Sequence, residues 1–113
     1  MSLDESRIAE LIGVCESIIG FTARLSERDF RQDDLVLSAV IYKILVLGEA
    51  AGKLSSGLRA RYQAVAWKDI RGMRNHLIHR YDKIDLAEVW RTSRVDVPEL
   101  VQHLRVIQRD LKG

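Results

Sequence analysis

Apolar residues recur along this chain at helical spacing, and no stretch alternates with the period of a strand. From Leu3 to Leu25, the positions Ile8, Leu11, Ile12, Cys15, Ile18, Ile19, Thr22 and Leu25 follow the i, i+3, i+4 rule and predict a first helix. Asp4 and Glu5 near its start suit the positive end of the helix dipole. The segment 26–32 is polar and predicts a connection, with Phe30 tucked into the core. Asp33 or Asp34 then caps a second helix reaching about Leu54, whose first half, LVLSAVIYKILVL, is apolar on nearly every face. Ser55-Ser56-Gly57 ends it, and a short helical piece follows over Leu58 to Gln63. Another helix spans Trp67 to Tyr81.

Asp85 is a good N-cap, and Glu88 three residues later makes a capping box for a helix carrying Leu86, Val89 and Trp90. Pro98 disfavours helical geometry at Val97, so the run is expected to break or kink there. With Pro98 at its first position, a last helix carries Leu100, Val101, Leu104, Ile107 and Leu111. The pattern predicts an all-α, up-and-down antiparallel bundle of four long helices plus a short one. Residues 1–113 form a single domain, of a size that supports a modest core.

The second helix raises a question of burial, because one small bundle cannot cover it on every side. A membrane span is disfavoured, since Leu35 to Leu47 falls well short of the roughly 20 residues required and Lys43 interrupts it. A homodimer with this helix at or near the interface is the expectation. The lone Cys15 lies in an apolar register and reads as a buried thiol in a cytoplasmic protein. MSLDESR lacks the plan of a signal peptide.

Composition adds little until its distribution is considered. The net charge is +2, but Arg59 to Arg94 holds nine Lys/Arg against four acids, or +5, leaving −3 for the rest. This positive region suits a polyanionic partner, and equally a solvated basic face. It coincides with WKDIRGMRNHLIHRYD, residues 67–82. On a helical wheel Ile70, Met73 and Leu77 share one side, while Arg71, Asn75, His79 and Asp82 share another, with Arg74 and Tyr81 between. Asn75 and His79 are i,i+4 neighbours. Ile78 sits among the polar residues, which marks that face as the wall of a cleft or an interface.

Arg74, four residues, His79, one residue and Tyr81 make an R-x4-H-x-Y string, set among Trp67, the Arg74-Asn75 pair, Ile78-His79, and Ile84-Asp85 leading to Trp90. Here the sequence resembles the HepT-like proteins, a branch of the HEPN ribonucleases, over essentially its whole length. The resemblance implies a metal-independent endoribonuclease toxin with an RNA substrate and no cofactor. His79 would be the general acid/base and Arg74 the phosphate clamp, in a composite site where the motifs of two subunits meet. It also implies a cognate nucleotidyltransferase antitoxin that transfers AMP to Tyr81.

The residue chemistry is compatible with those roles. Histidine titrates near neutrality, and the planar guanidinium matches two phosphate oxygens. By spacing, Asn75 is placed to orient the imidazole or hold phosphate, and Arg71 to contact substrate. The bland reading of Tyr81 is an amphipathic residue at the core edge. His76 lies round the wheel from His79 and reads as a packing or surface histidine. His76, His79 and His103 lack a carboxylate or cysteine at ligand spacing, so no metal is expected. The competing reading is a noncatalytic helical module that binds a nucleotidyltransferase or a nucleotide. Its weakness is that the motif segment has too few acids to pair Arg74 and His79 if they are buried.

Overall fold

The computed structural model describes residues 2–80 and 82–113, and these are all helical or in short connections. The helices are α1 (Leu3–Thr22), α2 (Glu27–Gln32), α3 (Asp34–Gly52), α4 (Ser56–Arg61), α5 (Trp67–His79), α6 (Leu86–Arg91) and α7 (Val97–Lys112). A π-helical turn, Thr92–Asp96, joins α6 to α7, so residues 86–112 run as one long rod. The four long members of the expected bundle are therefore α1, α3, α5 and this rod, with α2 and α4 as short connectors.

Caps set the helix starts. Ser2 and Glu5 form a reciprocal capping box on α1, Asp33 accepts from the Val36 amide on α3, and Asp85 accepts from the Glu88 amide on α6. α1 stops at Thr22, short of Leu25, where Arg94 Nη1 donates to the freed Thr22 carbonyl at 2.7 Å. The polar connection after it is helical, because Ser26 caps α2 through the Asp29 amide. Phe30 is buried as expected, its ring 5.1 Å from that of Trp90.

No break occurs at Pro98. Val97 keeps helical dihedrals, and its amide reaches back five residues to the Thr92 carbonyl. The widened turn accommodates the proline that a regular ladder would resist.

α3 is the hub: α1 packs on one side of it and α5 on another, while α7 packs on α1. Ile8, Leu11, Cys15, Ile18, Val40, Ile44, Val97, Leu104 and Ile107 are almost wholly removed from water in this core. Burial holds the Cys15 thiol up at about 12, with Glu16 beside it adding to the rise, so it is an inert core group.

At 19 residues, α3 is longer than the apolar run counted from sequence, and its length and composition would suit a membrane span. Its packing suits a bundle instead. Val40, Ile44, Leu47, Gly48 and Ala51 face α1 and α5. The opposite side is bare: Leu35 is 81% and Tyr42 61% exposed, and Ile78 of α5 is 41% exposed.

Candidate active site

α5 is fixed at its start by the Trp67 indole, which donates to the Tyr62 carbonyl at 3.0 Å. Leu77 is buried, and Ile70 and Met73 are partly buried against the core. α5 packs tightly on α3 at Gly48, where an added Cβ would overlap Arg74 Cβ and lie 2.8 Å from its Cγ. Only a glycine lets the Arg74 stem cross α3 there. The guanidinium emerges at the seam between the two helices.

Two contacts hold it. Arg74 Nη2 lies 3.0 Å from Glu49 Oε2, and Nη1 donates to Asn75 Oδ1 at 3.1 Å. Both partners of the ion pair reach solvent, with side chains 34% and 56% exposed, so the pair contributes only ~0–1 kcal/mol. A phosphate can compete for such a guanidinium at little cost. The segment's shortage of acids is thus made good from α3, a residue distant in sequence. Glu49, the lone acid in the apolar run LVLGEAAG, is the site residue that the motif does not reveal.

The seam opens into a hollow of about 450 Å³ lined by Arg7, Glu49, Lys53, Arg74, Leu45 and Ile78. Arg71 is exposed and lines an adjoining hollow with Gly48, Gly52 and Trp67. His79 is exposed in the last turn of α5. The fold therefore joins Arg74 to Asn75 and Glu49. Among the described residues, no hydrogen bond ties His79 to Asn75 within the protomer, so the expected orienting bond is not formed. Tyr81 lies outside the described residues.

His76 points elsewhere. It lines a separate groove on the other flank of α5, together with His103, and its Nε2 is buried without a hydrogen-bond partner among the described residues. No group of three or more His, Cys, Asp or Glu with metal-binding geometry occurs among the described residues.

Comparison with known proteins decides the family. The family model described as "Ribonuclease HepT-like" matches residues 11–107. The chain belongs to the HepT-like ribonuclease family. Two proteins of Methanocaldococcus jannaschii that carry the name "Putative RNase" are 30% and 31% identical to it. Those alignments cover 92% and 91% of this chain and 86% and 89% of the relatives. A protein of Thermococcus cleftensis named "Probable ribonuclease HepT" is 31% identical over 82% of both chains. No solved structure matches the chain. The match to the HepT-like ribonucleases spans every element that builds the seam, from most of α1 through α7.

Proposed function

We infer that this HepT-like ribonuclease cuts RNA internally and without a metal, using Arg74 and His79 at a site completed by a second copy of the chain. The observation that carries this reading is the Arg74 guanidinium, presented at the α3–α5 seam on a solvent-reachable and replaceable ion pair. In the proposed reaction, His79 takes the proton of a ribose 2′-hydroxyl, whose oxygen attacks the adjacent phosphorus. The P–O5′ bond breaks, and a protonated His79 of the second copy gives its proton to the leaving 5′ oxygen. The product is a 2′,3′-cyclic phosphate. Arg74 binds the phosphorane oxygens, with Asn75 holding its fork and Arg71 contacting flanking phosphate.

The bare face of α3 supports the second copy. Leu45 and Val46 line the Arg74 hollow with Ile78, and the exposed Tyr42 and Leu35 lie further toward the start of the same helix, so covering this face would bring two motifs together. Light scattering should return about twice 12.9 kDa. Purified protein should cleave RNA equally well in excess chelator and fail on a substrate with 2′-deoxy at the cut position. Loss of cleavage in chelator would rule the mechanism out.

The role proposed for the activity is that of a cytoplasmic toxin, held in check by a nucleotidyltransferase antitoxin. Attack of the Tyr81 phenolic oxygen on the α-phosphorus of ATP would release pyrophosphate and leave AMP two residues from His79. Tyr81→Phe should keep cleavage yet escape silencing by the cognate transferase with ATP and Mg²⁺. Intact mass should show AMP on the wild type alone. Silencing without any mass change would point to inhibition by binding.

A further inference from the structure

The flank of α5 facing away from Arg74 is not filled. α5 makes its main contact with α3, and the space between it and the α6–α7 rod is a groove of about 710 Å³. Its floor is apolar, formed by Ile44, Leu47, Ile70, Met73 and Leu100. Its rim is acidic: Asp69, Asp85, Glu88, Asp96 and Glu99 stand against two cations, Lys68 and Arg91. The carboxyl of Asp96, an exposed residue, is raised from its ordinary value by partial desolvation, with Arg91 opposing the rise and Glu88, Glu99 and Asp69 each adding to it. These carboxylates are therefore close enough to share one negative field.

Two polar atoms in this wall lack partners among the described residues. His76 Nε2 and Thr92 Oγ1 are both shut off from water without a hydrogen bond, and Thr92 is only 7% exposed. An unsatisfied buried hydroxyl destabilises the fold. A valine of the same shape at position 92 would avoid that cost. The π-helical turn that places Thr92 and Asp96 on the groove is also a widening of the sort often found at functional sites.

We propose that this groove is a docking site for a cationic amphipathic segment of a partner protein. Apolar side chains of that segment lie on the floor. A Lys or Arg stem crosses it, with the charged head among Glu88, Asp96 and Glu99, and docking turns the His76 imidazole and the Thr92 hydroxyl out toward donors of the segment. Charge complementarity selects this occupant. The acidic rim repels RNA, and the breadth of apolar floor asks for side-chain anchors that a bare polyamine does not carry. The inference is independent of the reaction assigned to Arg74 and His79.

The test uses the full-length protein and a synthetic peptide of lysine and leucine at helical spacing, about 14 residues long (~four turns). A glutamate–leucine peptide serves as the control. The basic peptide should bind saturably and move the imidazole NMR signals of His76 and His103, and the acidic one should not. The Glu88→Gln/Asp96→Asn/Glu99→Gln variant should weaken binding roughly tenfold or more. Thr92→Val provides a second readout, since it should raise the melting temperature while weakening the peptide. Undiminished binding to the triple variant, or unmoved His76 signals at peptide saturation, would overturn the proposal. Displacement of the peptide by spermine at equal charge would overturn it in favour of a small polycation. A Thr92→Val variant that loses stability would show the hydroxyl to be structural.

Discussion

The two flanks of α5 are built from the same short helix and differ in sign and in packing. One carries Arg71 and Arg74 against α3, where Gly48 lets the chains approach so closely that the arginine stem is pinned. The other carries Asp69 and His76 toward the α6–α7 rod, where the helices stand apart and carboxylates gather over an apolar floor. The first flank offers positive charge held by a weak ion pair, which a phosphate can displace. The second offers negative charge and two buried polar atoms, His76 Nε2 and Thr92 Oγ1, that have no partner among the described residues. The modest overall charge of +2 conceals both. A net charge near zero thus says little about affinity for nucleic acid when charges of opposite sign are separated by the width of one helix.

The comparison breaks most severely at Gly48. Gly48→Ala forces a methyl group against the Arg74 stem, so α5 must shift or Arg74 must leave its rotamer. A loss of about 1–3 kcal/mol of stability is expected in denaturant unfolding. RNA cleavage should fall as well, even at temperatures where the variant is fully folded, while peptide binding on the opposite flank should survive. An unchanged midpoint and rate would mean that α5 is not pinned at this point.

The smallest effect sharpens the other flank. The folded protein holds the Asp96 proton more tightly than the unfolded chain does, because partial desolvation and neighbouring carboxylates raise its pKa. The penalty is absent at pH values below the ordinary carboxylate range and grows as the pH rises through that range to the higher folded value. Asp96→Asn should therefore raise the melting temperature slightly at pH 7 and not at pH 3. Cleavage should not change. A stabilisation that persists at acid pH would have another cause.

The long helices and their caps are legible in the sequence because they depend on neighbours in the chain: the stripe from Ile8 to Thr22, Asp33 before α3 and Asp85 before α6. What is not legible depends on contacts between distant segments. Glu49 meets Arg74 across 25 positions, and His103 joins His76 in one groove across 27. Neither follows from spacing within a helix. The continuity through Val97 is missed for a different reason, since a local rule about residues before proline yields to a widened turn. The R-x4-H-x-Y string lies on and just past α5, and among the described residues no hydrogen bond joins His79 to Asn75 within the protomer.

The central claim is that chemistry resides on the cationic flank alone. The most direct measurement is the rate of cleavage of one RNA by three purified proteins: wild type, His79→Ala, and the Glu88→Gln/Asp96→Asn/Glu99→Gln variant. His79→Ala should be slower by roughly 10² to 10⁴, the usual worth of a positioned general acid/base, while the groove variant stays near the wild-type rate. Cleavage that survives in His79→Ala, or that is lost only in the groove variant, would contradict the account.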